Sequence, residues 1–301
     1  MNSNNASDGI LYHYCSMEAF FGILESQSLR LTRIRYMNDS KEFNWLFELA
    51  RKLLWQKLEQ AGDNQDRRLC KQLFESCDGL YIHESFFPNF YCSCFSKDGD
   101  SLGQWRAYAD DGRGVAIGFN RSFLDSFLMP NVTRLEDVIY LAETDAKELE
   151  TDLKQALSEL ESAVDKQLDD RISIIAAKTK SSWAMKAPFR KNAAFSEEDE
   201  VRLVHMPNLS GKSADDSKIG NLQFFHRNAV IVPYKPLLID AAQKPIARVV
   251  LGPRNRMEHN TKGIMEFALS KGLRLGLEQF KRSAASYGEH RRVDELPPRI
   301  W

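Results

Sequence analysis

The sequence lacks the features that mark several large classes of protein. No run approaches ~18 consecutive apolar residues, so no transmembrane helix is predicted. The first eight residues, MNSNNASD, have neither the basic start nor the apolar stretch of a signal peptide. The five cysteines are odd in number and do not resemble the paired framework of a secreted domain. We therefore expect a cytoplasmic protein with reduced cysteines.

An excess of charge of one sign is also missing. The 301 residues include 41 Lys and Arg against 42 Asp and Glu, a formal net charge of −1, which argues against broad, nonspecific binding of nucleic acid. Apolar residues make up 43% of the chain, which is enough for a substantial hydrophobic core. No Pro/Gly-rich linker and no internal repeat divides the chain. Residues 1–301 are therefore predicted to form a single α+β domain.

Hydrophobic periodicity predicts a single mixed or antiparallel sheet with flanking helices. Apolar patterns predict strands at 11–14, 29–32, 91–96, 114–119, 137–141, 200–205, 222–225, 229–232 and 247–251. The continuous apolar runs at 229–232 and 247–251 are typical of strands buried on both faces. Capping residues and apolar faces predict helices after Ser16, after Asp39, near 69–77, after Ser101 and over about 257–273.

Residues 145–180 are predicted to form a long helical insertion. An apolar seam recurs along it at alternating steps of four and three, through Leu149, Leu153, Ala156, Leu160 and Ala163. A single seam with a charged back indicates a helix that packs on one partner. That partner is either the body of the domain or a second copy of the chain, so the sequence leaves a homodimer through 145–180 open.

Generic catalytic motifs are absent from the sequence. There is no glycine-rich dinucleotide loop, no Walker loop, no HExxH and no GxSxG. The six histidines have no metal-ligand spacing, and Cys92 and Cys94 form a C-x-C without a second cysteine pair. On a strand these two thiols point to the same side, and we interpret them as small buried side chains. No metal is expected.

Four local clusters contain more polar and aromatic residues than a core requires. On the first strand, His13 faces away from Tyr12 and Tyr14, where it either holds a ligand hydroxyl or is a hydrogen-bonded residue of an aromatic strand. Next, Arg33 and Arg35 precede the turn and helix start at 38–39, a place suited to phosphate, although Asn38 and Asp39 also serve simply as helix caps.

The other two clusters lie on the middle and later strands. Ser93 and Ser96 belong to the strand 91–96, and Trp105 and Tyr108 share one face of the next short helix, either as a ring-stacking wall or as core anchors. The fourth cluster is the acidic run 197–200 that leads into Arg202. If the strand extends back to Glu198, then Glu198, Glu200 and Arg202 share one side. A carboxylate there, with its pKa raised by its acidic neighbour, would suit a general base or the stabilisation of a cation.

Taken in order, these clusters resemble a family of mostly bacterial proteins known only as a domain of unknown function. The motifs that carry the resemblance are YHYxS at 12–16, NDxxEF at 38–43, CFS at 94–96, SxxxWxxYA at 101–109, ExExR at 198–202 and GP at 252–253. They span roughly residues 11–275. Cys15 stands where the family commonly has Thr, and the helical segment 145–180 resembles an insertion of varying length.

The opening strand and helix are also similar to ADP-ribosyltransferase-like enzymes. These enzymes use Arg or His on the first strand, Ser or Tyr on a middle strand, and Glu, often as E-x-E, on a later strand. His13, Ser93 or Ser96, and Glu200 occur in that order. The resemblance implies an ADP-ribosyltransferase-like fold that consumes NAD as its substrate.

On that resemblance, each candidate residue takes a role. Glu200 would be the catalytic carboxylate that stabilises the ribosyl cation, Glu198 would orient the acceptor, and His13 would hold a ribose hydroxyl. The expected nucleotide-binding residues are Tyr14, Arg35, Asn38, Ser93, Ser96, Trp105, Tyr108 and Arg202. Among them, Tyr14 or Tyr108 would stack on nicotinamide, and Arg35 with Asn38 would take the pyrophosphate.

The expected activity is therefore that of a transferase or an NAD glycohydrolase, with an unidentified protein or nucleic acid as acceptor. Enzymes of this kind often act as toxins or in defence against phage. Two alternatives remain open from the residues. One is a non-catalytic sensor that binds a nucleotide or nucleic acid through the Trp105 and Tyr108 wall. The other is a nuclease or phosphodiesterase, which would need clustered metal ligands.

Overall fold

The computed structural model describes residues 9–37, 44–60, 62–78, 89–161, 168–207 and 218–287. The strands in these ranges are β1 (Ile10–Cys15), β2 (Ser28–Arg33), β3 (Tyr91–Ser96), β4 (Val115–Asn120), β5 (Thr133–Asp137), β6 (Ile139–Leu141), β7 (Arg190–Asn192), β8 (Glu200–His205), β9 (Gln223–Arg227), β10 (Val230–Leu238), β11 (Ile246–Leu251) and β12 (Phe280–Arg282). The helices are α1 (Met17–Ser26), α2 (Trp45–Gln60), α3 (Gln65–Asp78), α4 (Leu102–Tyr108), α5 (Arg121–Asp125), α6 (Lys147–Glu161), α7 (Leu168–Lys186) and α8 (Met257–Ser270). The predicted helix cap at Asp39 and the neighbouring Asn38 lie outside the described residues.

Ten of these strands form one sheet. Its main order is β12-β11-β4-β1-β3-β2-β10-β9, with β8 paired to β3 and β5 paired to β8. Neighbouring strands run antiparallel except β11 and β12, which run parallel. The strands β6 and β7 form a separate parallel pair. A mostly antiparallel mixed sheet with flanking helices confirms the predicted α+β class.

Local sequence chemistry explains where the first helix and strand face. Ser16 caps α1, as predicted, because its hydroxyl accepts a hydrogen bond from the Ala19 N–H at 3.1 Å. On β1, Leu11 and Cys15 belong to the apolar core on one face of the sheet. Tyr12 and Tyr14 pack on the opposite face, against α4. His13 shares the Leu11 side by strand alternation and therefore faces away from both tyrosines, as predicted.

Two strand predictions need correction. The predicted strand 137–141 is divided between β5 and β6, because the chain changes partner: β5 pairs with β8 as far as Asp137, and β6 pairs with β7 from Ile139. The run 229–232 begins β10 but is not buried on both faces, since Val230 is 48% and Ile231 is 68% exposed. This end of β10 pairs with β9, the last strand in the sheet order, so little of the chain covers it. In the run of β11, Val249, Val250 and Leu251 are buried as predicted, whereas Ala247 and Arg248 are partly buried.

The predicted long helix 145–180 is instead a pair of helices, α6 and α7. They run antiparallel, since Lys186 lies 2.7 Å from Asp152 near one end and Lys178 lies 2.8 Å from Glu159 near the other. The sequence repeat could not show this reversal, because it depends on contacts between residues far apart in the chain.

None of the helices in the described ranges is long and apolar enough to cross a lipid bilayer.

The apolar seam of α6 is covered by the same chain. Its members Leu149, Leu153, Ala156 and Leu160 are buried in a helical core that also contains side chains of α2, α3 and α7. Ala163 lies outside the described residues. The seam therefore packs on the body of the domain and is not a free surface for a second copy. A homodimer stays a prediction without that contact to support it.

The strand β3 is shared between two neighbours along one edge. Its other edge pairs with β8 over its whole length, from Tyr91 opposite His205 to Ser96 opposite Glu200. On the shared edge, β2 pairs with the start of β3 and β1 pairs only with its last residue, Ser96. The middle of β3 consequently has no strand partner there. This divergence of β1 from β2 creates the opening in which the candidate site lies.

Candidate functional site

A cavity of about 190 Å³ lies where β1 and β2 diverge from β3. Eight of the predicted site residues are on its wall: His13, Tyr14, Ser93, Ser96, Tyr108, Glu198, Glu200 and Arg202. Arg35 and Trp105 are not on the wall. Five further polar or charged side chains that the sequence did not single out are there as well: Arg30, Thr32, Gln104, Lys191 and Arg227. Residues distant in the chain thus meet at one opening of the sheet.

The centre of the wall formed by β8 is a buried ion pair. Glu200 and Arg202 are each 5% exposed and face the same side of the strand. The Arg202 Nε lies 2.7 Å from Glu200 Oε1, and its Nη2 lies 2.9 Å from Oε2, so the pair is bidentate. A third guanidinium nitrogen, Nη1, donates to the Pro188 carbonyl at 2.8 Å.

The predicted rise in the pKa of Glu200 is wrong. Burial does raise the pKa of this carboxyl, but the charge of Arg202 and its hydrogen bonds, together with Lys191, outweigh burial and hold the pKa below its ordinary value. Glu200 is therefore an ionised carboxylate at neutral pH. The sequence argument placed Arg202 on the same side but counted only the acidic neighbour in the pKa, and it did not identify Lys191.

A second carboxylate, Glu198, adjoins this pair. Its Oε2 lies 2.6 Å from the Lys191 Nζ, and the same Nζ lies 3.4 Å from Glu200 Oε2, so this lysine bridges both acids. The Tyr108 hydroxyl donates to Glu198 Oε1 at 3.4 Å. Burial, then the negative charge of Glu198, raises the pKa of Tyr108, which keeps its hydroxyl protonated as a donor.

The backbone reaches this arrangement by a turn and not by an extended strand. The strand β8 begins at Glu200, whereas Glu198 ends the 3₁₀ segment Ala193–Glu198, so the strand does not extend back to Glu198 and that condition is not met. Asp199 between them has a left-handed φ of 42°, a conformation that Asp tolerates better than most residues. This turn still places both carboxylates on the cavity wall.

His13 occupies the gap between β1 and β3. Its Nδ1 lies 2.9 Å from the Cys94 carbonyl oxygen, and because a carbonyl only accepts, Nδ1 carries the proton. Burial lowers the pKa of His13, more than its hydrogen bond to Cys94 raises it, and so favours the neutral ring. The imidazole donates the hydrogen bond that a neighbouring strand would otherwise give to the middle of β3. A polar residue at position 13 therefore has a structural role as well as a place at the cavity.

Tyr14 and Trp105 pack against each other on the α4 side of the sheet. Their rings are 4.8 Å apart and edge-on, and the Tyr14 hydroxyl donates to the Asp98 carbonyl and accepts from the Ser101 N–H. Trp105 is fully buried, and its indole N–H donates to Asp100 at 2.8 Å. Of the two alternatives for Trp105, the core anchor is correct, and its expected place among the nucleotide-binding residues is wrong. Of the pair predicted on α4, only Tyr108 faces the cavity.

The two serines of β3 have different environments. The Ser96 hydroxyl donates to the Glu198 carbonyl at 2.9 Å and accepts from the Asp98 N–H, so it fastens the chain around the carboxylates. The Ser93 hydroxyl is buried and has no hydrogen-bond partner in the described part of the chain. By strand alternation Ser93 lies on the opposite face from Ser96 and the two cysteines.

The two cysteines of β3 point to the same side, as predicted. Their sulfur atoms are 3.9 Å apart, and both residues line the cavity. The thiol contact with Cys92, followed by burial, raises the pKa of Cys94 well above its ordinary value, so the thiol is protonated at neutral pH. Within the described ranges, no group of three or more His, Cys, Asp or Glu is placed to hold a metal ion.

The phosphate-binding role expected of Arg35 does not fit its position. Arg35 lies in the 3₁₀ segment Ile34–Tyr36 and does not line the cavity, and its expected partner Asn38 lies outside the described residues. Besides the paired Arg202, the arginines on the wall are Arg30 and Arg227. Alternation in β2 could have identified Arg30, which faces away from the buried Leu29 and Leu31. No signal in the sequence pointed to Arg227 or Lys191.

One comparison with known proteins found a relationship. Residues 104–203, about a third of the chain, match the model of a family described as a protein of unknown function (DUF2971). This confirms the predicted resemblance to a domain of unknown function over those residues, which include Tyr108, Glu198, Glu200 and Arg202. A search of curated proteins and a search of solved structures each found no match.

Proposed function

We propose that this protein is an NAD-consuming enzyme of the ADP-ribosyltransferase type, either a transferase or an NAD glycohydrolase. One observation carries the proposal: Glu198 and Glu200 share a cavity wall with His13, Tyr14 and Ser96. These three groups of residues, at 13–14, 96 and 198–200, are far from one another in the chain. The resemblance in the order of these residues required them to line one cleft, and they do.

The proposed reaction needs a carboxylate that is ionised before the substrate binds. When the bond between ribose C1′ and the nicotinamide nitrogen breaks, the electron pair goes to the positively charged pyridinium ring and a cation develops at C1′. A fixed negative charge nearby lowers the energy of that state. The nucleophile that then bonds to C1′ loses its proton to a basic oxygen, and a carboxylate can accept it.

The hydrogen bonds of the two acids favour other roles than those expected from the sequence, where Glu200 was the catalytic carboxylate and Glu198 the orienting one. Both oxygens of Glu200 are engaged by Arg202 and Lys191, and its side chain is 6% exposed. The Glu198 side chain is 18% exposed, and among the described residues its Oε1 has only the long contact with the Tyr108 hydroxyl. We therefore assign the direct contact with the ribose to Glu198. Glu200 contacts Lys191, the cation that holds Glu198, and so positions Glu198 through this lysine.

The decisive experiment is incubation of the pure protein with NAD, followed by mass spectrometry for nicotinamide and ADP-ribose. We expect wild type to release nicotinamide and Glu198→Gln to lose at least 100-fold in rate, since removal of one transition-state contact commonly costs that much. Glu197→Gln is the matched control, because Glu197 is the exposed neighbouring acid and is not on the wall. Equal rates in wild type and Glu198→Gln would contradict the assignment.

A second candidate function is a sensor that binds a nucleotide without cleaving it. It is favoured by the neutralisation of Glu200, since a carboxylate paired with Arg202 and Lys191 stabilises a ribosyl cation less than a lone one. NAD that binds and is recovered intact would support the sensor. Growth arrest on expression is expected of a toxin or a defence effector. Growth arrest that Glu198→Gln abolishes would favour the enzyme over the sensor.

A further inference from the structure

Two arginines on the cavity wall have no part in the chemistry proposed above. Arg30 projects from β2 and Arg227 from β9, on strands that β10 joins in the sheet. They lie on the side of the cavity formed by β2 and β9, and the two carboxylates lie on the side formed by β8 and the turn before it.

The charge balance of the wall singles these arginines out. Lys191 and Arg202 are neutralised by Glu198 and Glu200, which lie within ion-pair distance of them. In the described part of the chain, neither Arg30 nor Arg227 lies within ion-pair distance of a carboxylate. The wall thus keeps two positive charges, and both are on the same side.

Each guanidinium is held without using all of its hydrogen-bond donors. Arg30 lies over the rings of Phe225 and Tyr234, at 4.5 and 5.1 Å from their centroids. A guanidinium stacked on its face keeps its N–H edge available to an anion. Arg227 donates one hydrogen bond from Nη2 to the Tyr36 carbonyl, which leaves its other N–H groups.

We propose that Arg30 and Arg227 form a binding site for the diphosphate of a nucleotide. Two guanidinium groups with free N–H edges match the charge and the paired oxygens of a diphosphate, and arginine is the side chain best shaped for such bidentate contacts. That the ligand continues as a nucleotide toward Glu198 depends on the proposed function. The phosphate site does not depend on it.

Calorimetric titration with ADP, pyrophosphate and adenosine tests this site without any NAD chemistry. We expect wild type to bind ADP more tightly than adenosine, and pyrophosphate to bind through the same arginines. Arg30→Gln and Arg227→Gln should each weaken ADP binding about tenfold or more, because each removes a charge-assisted contact. Adenosine binding should not change. Arg33→Gln is the matched control, since Arg33 also belongs to β2, bonds to Asn89 and is not on the wall.

Several results would overturn the site. They are equal affinity of wild type for ADP and adenosine, wild-type ADP affinity in both arginine variants, or an equal loss in Arg33→Gln. Tighter, arginine-dependent binding of a single-stranded RNA oligonucleotide than of ADP would replace the nucleotide with a nucleic acid as the ligand. If ADP binds as expected while NAD is not cleaved, the proposed reaction fails and the phosphate site stands.

Discussion

The two sides of the cavity differ in how their charged side chains are buried and paired. The β8 side holds Lys191, Glu200 and Arg202, which are 1–5% exposed and lie within one connected set of ion pairs. The β2 and β9 side holds Arg30, which is exposed, and Arg227, which is partly buried, and neither has a carboxylate partner among the described residues.

The difference follows from the cost of removing charge from water. A charge buried without a partner costs several kcal/mol, so the β8 side can keep its ionised groups only as pairs. An exposed arginine stays hydrated and needs no partner to be stable. The buried side is therefore built for fixed geometry, and the exposed side keeps its charge available to a ligand. Variants on the two sides should differ accordingly.

The largest effect is expected from Arg202→Leu. The variant removes the bidentate partner of the buried Glu200, which keeps the 3.4 Å contact to Lys191, and the Pro188 carbonyl loses its Arg202 donor. Breaking a buried pair from one side commonly lowers the free energy of unfolding by about 3–5 kcal/mol. Urea denaturation followed by circular dichroism measures the loss.

The double variant Arg202→Leu with Glu200→Leu tests the reason for that loss. Replacing both partners by apolar groups removes the unpaired charge, so part of the lost stability should return. A double variant as unstable as the sum of the two single variants would show that the ion pair is not the source of the effect.

The pH dependence of stability should change next most strongly, in Glu200→Gln. Because the pKa of Glu200 is held below its ordinary value of 4.5 in the folded state, its ionisation stabilises the fold above about that pH. The contribution is lost as the pH falls through the lower folded pKa, since the unfolded chain takes up the proton first. The stability gap between wild type and the variant should therefore narrow below pH 4.5. Denaturation at several pH values measures it, and an unchanged gap would contradict the assigned shift.

The fold was predictable where periodicity is strict and local. The strands β3 and β8 have the predicted bounds, because alternating side chains place Val201 and Leu203 in the core and Glu200 and Arg202 on the other side. The reversal between α6 and α7 was not predictable, because an apolar seam has the same period whether the chain continues or turns back. What distinguishes the two cases is the contact of Lys186 with Asp152, which no local pattern encodes.

A medium effect is expected from His13→Phe. The phenyl ring keeps most of the volume in the gap between β1 and β3, but the Cys94 carbonyl loses its donor. An unsatisfied buried acceptor costs about 1–3 kcal/mol of unfolding free energy. Burial lowers the pKa of His13 below its ordinary value of 6.5, so this residue also makes wild type less stable as the pH falls below that value.

His13→Phe should remove that acid-dependent part, and thermal unfolding between pH 5 and 8 is the measurement. The exposed His226 of β9 provides the matched control, His226→Phe. If both variants change stability equally, the gap between β1 and β3 does not depend on the imidazole.

The candidate site was predictable in part, for reasons visible in single residues. Ser96 and Glu200 meet on one face because they are opposite each other on paired strands, which alternation could predict. His13 alternates to the other face and reaches the cavity only through the gap between β1 and β3, which alternation does not predict. The choice of Trp105 failed because neighbours on one helix face can still divide between core and cavity. Arg227 was missed because its proposed role in phosphate binding depends on its place beside Arg30, which lies on a strand almost 200 residues earlier in the chain.

The smallest change in stability is expected from Arg30→Gln and Arg227→Gln. Without ligand, Arg227→Gln should lose about 1 kcal/mol of unfolding free energy or less, the usual net contribution of the one hydrogen bond that Arg227 donates to the Tyr36 carbonyl. Arg30→Gln should lose at most about 1 kcal/mol, because its contacts with the rings of Phe225 and Tyr234 are solvent-exposed. With ADP at 100 times its Kd, wild type should gain about 2.7 kcal/mol by mass action. At the same ADP concentration, each variant should gain about half of that or less, since a tenfold weaker Kd lowers the ratio of ligand to Kd to about 10. Unfolding with and without ADP therefore separates the two sides of the cavity. A loss in ligand-free Arg30→Gln as large as that in Arg202→Leu would mean that both sides are structural.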